Sequence, residues 1–342
     1  MNLLKKTICL FMIGGMLITA VACGSTQNDV QPSEEPVVTE AQATPVPVPA
    51  TPEPGETPQP TRPPMEGDIC TDRFPDYDTG VGADYSYQSD ELRIAIRRYE
   101  DEEIHSIYYV ADIWIRNISC FRAGFGNGEF NHGNEDAESF ATREHAILAI
   151  NGSYNMGLVI HDGQMRKKLD NKHAGVLVLY KDGSMEALRR TDFDLSAALE
   201  RGIVHAWQFG PMLVHDGKPS DAKYNTYATR HSRIIFGYYE PGHYVAVAVD
   251  GRRKDAIGMN NLEMVELMTE LGCKEAMNLD GGYSAIMTFM GTIVNDPPKP
   301  DSKEEEEKGG RKLMDMLLFA EYDANGNAPA LDEITAYRAP QN

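Results

Sequence analysis

The amino-acid sequence predicts an α+β fold: a single mixed domain of many short strands with a few packing helices, spanning residues 69–342. Three observations carry that expectation. Short apolar runs recur between Asp-Gly, Pro-Gly and Met-Gly pairs, the punctuation of tight hairpins. Apolar residues take helical spacing in few places, chiefly residues 138–145 and 261–271. The first 68 residues have a composition that builds no core, which leaves about 270 residues to bury one, ample for a single domain.

Lys5 and Lys6 precede residues 7–22, an apolar run without a charge. The run is short for a membrane span, which needs about 20 residues, but suits the core of a secretory signal. It ends Thr19-Ala20-Val21-Ala22-Cys23-Gly24, small residues and then a cysteine. That is the pattern of a bacterial lipoprotein signal, although Ala20 stands where Leu is more usual. The expectation is a signal peptide at 1–22, Cys23 as the lipidated first mature residue, and a protein on the outer face of a bacterial cell membrane. A plain signal peptide with secretion is the alternative. Residues 23–68 read as a tether, because eleven of the 20 prolines fall at 32–64 among Thr, Val, Ala and Glu. Such a segment favours extended, solvated backbone and acts as a spacer.

The formal charge is −20, so the chain repels polyanions and no nucleic-acid partner is expected. With one long apolar run, the expected membrane link is the lipid anchor alone. Of the five cysteines, Cys9 leaves with the signal and Cys23 carries the lipid. Cys70, Cys120 and Cys273 remain; no two have Cys-x-x-Cys spacing, and they read as structural, reduced thiols.

Along the domain, Leu92-Arg93-Ile94-Ala95-Ile96 alternates and 104–115 is rich in Ile, Tyr, Val and Trp, both strand patterns. Residues 138–145 form a short helix that feeds a buried strand at 146–150. Asp162-Gly163, Asp182-Gly183 and Asp216-Gly217 read as hairpin turns rather than chemistry, with positive φ at both residues of each pair. His161 and His215, just before two of these turns, read as turn residues. A further hairpin joins 233–239 to 244–249 around Pro241-Gly242. A helix over 261–271 ends at Gly272, a strand follows at 276–279, and 284–289 pairs with 292–294 around Met290-Gly291. The polar stretch 297–310 reads as a solvated loop, and 313–319 as the last buried strand.

Two strand ends differ from the hairpin turns. Val249-Asp250-Gly251-Arg252-Arg253 delivers an acid and then two bases, and Asn278-Leu279-Asp280-Gly281-Gly282-Tyr283-Ser284 delivers an acid and two glycines. Carboxyl ends of buried strands are frequent sites of chemistry in sheet folds, yet both acids also suit a turn or a cap. Asn151-Gly152 repeats the polar-then-Gly pattern at another strand end. Arg230 and Arg233 open a strand; each fits either a bidentate phosphate contact or a surface ion pair. The sequence holds no His-Glu-x-x-His, phosphate-loop or dinucleotide motif, and Gly282-Tyr283-Ser284-Ala285-Ile286 lacks the second Gly of a nucleophile elbow.

Taken together these residues resemble the phosphodiester glycosidase family. The resemblance rests on Ala149-Ile150-Asn151-Gly152, Phe209-Gly210-Pro211-Met212-Leu213-Val214, Arg230 with residues 233–237, and Val249-Asp250-Gly251-Arg252. It continues through Gly258-Met259, Leu271-Gly272-Cys273, the segment 276–284 and Gly310-Arg311. It runs in order over roughly residues 85–320. Tyr283 departs from it, standing where the family often has Gly.

The resemblance implies hydrolysis of a sugar-1-phosphodiester bond in a phosphorylated envelope or extracellular glycan. Phosphate is already a good leaving group, so strong protonation matters less than in ordinary glycoside hydrolysis. The site then needs positive charge at the phosphate, from Arg230, Arg233, Arg252 or Arg311, and a carboxylate near the anomeric carbon. Asp280 or Asp250 is that carboxylate, as base, nucleophile or stabiliser. Gly281 and Gly282 would turn backbone N–H groups to the phosphate, Asn151 and Ser284 would orient sugar or phosphate oxygens, and Gly152 would join them in binding the substrate. No cofactor is needed; a divalent cation on Asp280 and Asn278 is the alternative. The rival function is a non-catalytic carbohydrate-binding or exopolysaccharide-assembly lipoprotein.

Overall fold

Among the described residues three helices each back a different sheet. We describe the domain from a computed structural model covering residues 64–221, 229–299, 312–322 and 327–340. The expected signal, Cys23, Arg311 and all but the end of the tether lie outside the described residues. The described residues belong to the compact unit Val46–Asn342.

In chain order the first strands are β1 (Tyr85–Gln88), β2 (Leu92–Asp101), β3 (Ser106–Ile115), β4 (Phe121–Phe125), β5 (Leu148–Asn151), β6 (Val159–His161) and β7 (Gln164–Lys167). Then come β8 (Gly175–Tyr180), β9 (Met185–Arg189), β10 (Ile203–Phe209), β11 (Met212–His215), β12 (Lys218–Pro219) and β13 (Arg233–Glu240). The last are β14 (His243–Val249), β15 (Glu275–Asn278), β16 (Met287–Phe289), β17 (Thr292–Ile293), β18 (Asp315–Phe319) and β19 (Tyr337–Arg338). Helices α1 (Ala137–Arg143), α2 (Leu195–Arg201) and α3 (Asn261–Glu270) interrupt them.

These strands form three sheets. One has nine strands in the order β12-β11-β15-β13-β14-β3-β2-β1-β19; the others have five each, β7-β6-β10-β8-β9 and β17-β16-β5-β18-β4. All recorded pairings are antiparallel. The sheets share one core through alternate residues. On β14, Tyr244, Ala246 and Ala248 face the common core, whereas Val245, Val247 and Val249 pack with Met264, Val265 and Met268 of α3. Period two on a strand buried on both faces explains why this segment reads as a continuous apolar run. Helix α1 packs on the back of β5 and β18 through Phe140 and Ala141, and α2 packs on β8 and β10 through Ala198. Each helix starts at a side-chain cap: Asp136, Asp194, and Asn260 with Glu263 in a capping box.

The hairpin signals meet two outcomes. Asp162-Gly163 and Asp216-Gly217 take positive φ at both residues. At Asp182-Gly183 only Gly183 does, and the Asp182 carboxylate instead accepts the Ser184 N–H at 3.0 Å, a local side-chain turn. The expected tether boundary at 68 also shifts. Residues 65–68 are already bonded to the domain, through an Asp68–Asn117 bridge and an Asn117 Nδ2 bond to the Glu66 carbonyl. Ser284 falls in a 3₁₀ turn at Gly282–Ser284, not in the strand expected from 284. Cys70, Cys120 and Cys273 are buried free thiols. Burial pushes the Cys70 thiol up to about 11 and the Cys273 thiol up to about 12, so neither ionises at neutral pH.

Candidate active site

The central register of the large sheet sets the site. Strand β13 pairs antiparallel with both β14 and β15, and Ile235 lies opposite Asn278 while Arg233 lies opposite Val249. The start of β13 and the ends of β14 and β15 therefore meet at one edge. Three segments far apart in sequence, 231–233, 250–252 and 280–282, converge there as a consequence of strand direction alone.

Ser232 is the pivot. Its carbonyl accepts the Gly282 N–H at 3.0 Å and its hydroxyl donates to the Gly282 carbonyl at 2.8 Å. A Cβ at Gly251 would lie 2.3 Å from Ser232 N, and one at Gly281 would lie 2.6 Å from Ser232 O. Both glycines are required by this close backbone approach rather than by unusual dihedrals.

A cleft of about 440 Å³ opens at this edge. Its lining joins His231, Arg233, Arg252, Asp280, Gly281 and Gly282 with Asn261, Asn278, Lys172, His173, Phe209 and Pro211. Asp280 is the single carboxylate among the described lining residues, against two guanidinium groups and an ammonium. In a chain of net charge −20 this is a local reversal of sign. Asp280 Oδ1 accepts the Gly281 N–H at 2.9 Å. Arg252 holds a left-handed φ of 59° and sends its Nε–H to His231 Nδ1 at 3.3 Å. Burial, then the charges of Arg233 and Arg252, hold the His231 imidazole below its ordinary range. Accepting at Nδ1, the neutral ring carries its proton on Nε2. Arg233, nine-tenths buried, is oriented by carbonyls of Met259 (3.2 Å) and Thr229 (3.3 Å).

The other expected site residues divide. Asn151 and Gly152 lie behind the cleft and hold the Asp280 backbone. Asn151 Nδ2 donates to the Asp280 carbonyl at 2.9 Å, its Oδ1 accepts the Ile286 N–H at 3.1 Å, and the Gly152 carbonyl accepts the Asp280 N–H at 3.1 Å. Ser284 is buried under the glycine turn and does not line the cleft. Arg230 points away to Glu263 on α3, with Nε at 3.1 Å from the carboxylate, the ion-pair alternative.

Asp250 is a correction. It is 1 % exposed and absent from the cleft wall. Its Oδ1 accepts the Asp296 N–H at 2.9 Å and Asn295 Nδ2 at 3.2 Å, with Arg253 at 3.6 Å from Oδ2. Burial pushes it up to about 6 despite these donors. Its position suits an anchor for the 295–296 segment, not contact with a ligand in the cleft.

Sequence reasoning missed His231, Asn261, Lys172 and His173 on the cleft, and Asp315 behind it. Asp315 is fully buried, accepts the N–H groups of Ser153 (2.8 Å) and Asn155 (3.2 Å), and is pushed up to about 6 by burial, with the Asp280 charge adding. No local pattern marks Asp315, whose strand reads as plain apolar. His231 stood within a quoted motif, but its neighbours drew the reading to the arginines. For the cation alternative at Asp280 and Asn278, the Asn278 Nδ2 is spent on the Gly210 carbonyl at 2.9 Å, which fixes its amide oxygen opposite that bond.

Similarity to known proteins follows the same segments. Residues 137–320 match the profile of the phosphodiester glycosidase family, a span that includes every described cleft residue. The SPbeta prophage-derived uncharacterized protein YomE of Bacillus subtilis (strain 168) is 32 % identical over 173 residues, 47 % of this chain and 27 % of that protein. The chain thus spans about a quarter of the length of that curated relative. Among solved structures, the zebrafish N-acetylglucosamine-1-phosphodiester alpha-N-acetylglucosaminidase catalytic domain, auto-inhibited by its pro-peptide, superposes with a TM-score of 0.53 at 20 % identity, over 68 % of this chain and 83 % of that one. A hypothetical protein from Synechocystis superposes at 0.51 with 14 % identity, over 67 % and 62 %. These two likenesses establish a shared fold. By the match over residues 137–320, the chain belongs to the phosphodiester glycosidase family.

Proposed function

We propose that this protein is an exported glycosidase that hydrolyses a sugar-1-phosphodiester bond in an envelope or extracellular glycan, held at the membrane by a lipid on Cys23. One observation carries the catalytic part: Asp280 shares a single cleft with Arg233 and Arg252, within the family segment. The bond that breaks joins the anomeric carbon to the phosphate oxygen, and the electron pair leaves with the phosphate. Arg233 and Arg252 bind that growing charge through charge-assisted hydrogen bonds, and His231 adds its Nε2–H. Asp280 stabilises the positive charge left on the sugar, or takes the proton of the attacking water. With a leaving group this good, one carboxylate is sufficient, which fits the retreat of Asp250 from the cleft.

The test is turnover of a panel of glycosyl-1-phosphodiesters by the purified protein. Release of sugar and phosphomonoester from at least one member is expected. Saturable binding of those compounds without release from any of them favours the carbohydrate-binding alternative.

A further inference from the structure

A second cluster of chemistry-bearing side chains lies away from the cleft, at the β6–β7 turn. His161 ends β6, Asp162 opens the turn, and His205 lies on the neighbouring strand β10. One potential donor atom from each of the three residues falls within 4.8 Å of the others.

The two imidazoles each turn a ring nitrogen toward Asp162. His161 Nε2 hydrogen-bonds the Ala123 carbonyl on β4, so Nε2 carries a proton. Its Nδ1 faces the Asp162 Oδ2 at 3.1 Å. That contact calls for a positive species between the two atoms, either a ring proton or a metal ion. His205 brings a third donor: its Nε2 lies 3.8 Å from Asp162 Oδ1. Donor atoms bound about 2.0–2.2 Å from one tetrahedral ion stand roughly 3.4 Å apart, close to these separations. The histidine rings are held by packing, with His161 against Phe125 (4.7 Å between ring centres) and His205 against Trp207 (5.6 Å). His205 is buried, 1 % exposed, so its ring is fixed in place beside Asp162. Asp162 is two-thirds exposed and leaves a side open for entry and for a water ligand. Arg122, whose charge reaches Asp162 and His205, has its guanidinium over the Tyr322 ring at 3.3 Å.

We infer that His161 Nδ1, the Asp162 carboxylate and His205 Nε2 form a binding site for a borderline divalent ion of the Zn²⁺ class. Two imidazoles and one carboxylate suit Zn²⁺, Co²⁺ or Ni²⁺ and not Ca²⁺ or Mg²⁺, which prefer oxygen throughout. The Ala123 carbonyl is the outer partner that fixes the His161 ring. Binding has one local consequence. At present the Asp162 N–H donates to His205 Nδ1 at 3.3 Å, which puts the ring proton on Nε2. A metal at Nε2 moves that proton to Nδ1, and the Asp162 N–H gives up its partner. The site then ties the β6–β7 turn to β10 and stands apart from the glycosidase cleft, so it stabilises the β7-β6-β10-β8-β9 sheet rather than the reaction.

Titration of the purified, chelator-stripped protein with ZnCl₂ by calorimetry tests this, alongside Asp162→Asn and His205→Gln. Asn tolerates the left-handed φ of 50° at position 162, so Asp162→Asn keeps the turn. The expected result is one Zn²⁺ per chain, a higher melting temperature with Zn²⁺, and at least about tenfold weaker binding in both variants. Nitrogen-15 spectra are expected to show the His205 ring changing tautomer on Zn²⁺ addition, with turnover of the glycosyl phosphodiesters unchanged. Equal Zn²⁺ binding by wild type and a melt-competent Asp162→Asn overturns the site. So does a His161 ring that titrates as an imidazolium against Asp162 and ignores Zn²⁺.

Discussion

Asp250 and Asp280 follow β14 and β15, the two strands that flank β13 in one sheet, and each precedes a Gly, yet they end in opposite surroundings. Asp280 opens into a cleft beside Arg233 and Arg252. Asp250 turns inward, and two donors from residues 295 and 296 meet it there. The same local grammar thus serves a half-buried acid on a cleft wall and a buried anchor. The difference lies in what the rest of the chain brings: a loop with donors seals one acid, and two arginines frame the other.

The sharpest test of that contrast is Asp280→Asn. It keeps shape and removes charge, so the melt is expected to hold while kcat falls on the order of 10²-fold or more. Near-normal turnover with an unaltered melt returns Asp280 to a turn aspartate and erases the contrast. Arg252→Ala is expected to raise KM by about ten- to a hundredfold, with Arg252→Lys recovering only part, because an ammonium cannot fork onto a phosphate. Isothermal binding of a sugar-1-phosphate follows the same order.

Asn151→Ala probes the support behind Asp280. Losing the bond to the Asp280 carbonyl and leaving the Ile286 N–H unpaired costs about 1–3 kcal/mol of stability, read by urea unfolding. A roughly tenfold fall in kcat accompanies it if the Asp280 loop shifts.

Asp250→Asn is expected to leave kcat within about twofold and to act on the pH dependence of stability. The folded Asp250 titrates near 6, above the roughly 3.9 of an unfolded aspartate. Its protonated form is therefore favoured by folding; that stability is present below about pH 4 and is lost as pH rises through 6. Melts of wild type and Asp250→Asn from pH 4 to 7 should diverge by on the order of 2–3 kcal/mol, wild type losing ground as pH rises. A constant difference across that range places Asp250 in solvent. The smallest effect belongs to Arg230→Ala, which removes a half-exposed ion pair with Glu263. Less than about 1 kcal/mol is expected, with unchanged turnover, and a large KM effect would bring Arg230 back to the ligand.

Much of the fold was legible because local rules carried it. The hairpin around Pro241-Gly242, helix α3 with its terminal Gly272, and the strand before Asp280 follow from periodicity and turn chemistry. Strand β10 was not legible. It reads Ile203-Val204-His205-Ala206-Trp207-Gln208-Phe209, and its inward polar residues break the apolar pattern. Their partners come from elsewhere: Gln208 Oε1 accepts the Leu158 N–H at 2.7 Å and the Asp170 N–H at 3.0 Å. Strands β1 and β19 escaped for a related reason, since they pair across 250 residues at the sheet edge through two register positions.

The sequence alone determined the residue types of the site, the strand ends that present them, and the glycines that let backbones meet at Ser232. Those are consequences of φ/ψ preference and side-chain period, which act within a few residues. Only the tertiary structure decided which acid faces the cleft, that Arg230 serves α3, and that Asp315 stands behind Asp280. Each of those choices depends on donors and charges supplied by segments tens of residues away, and no local rule contains them.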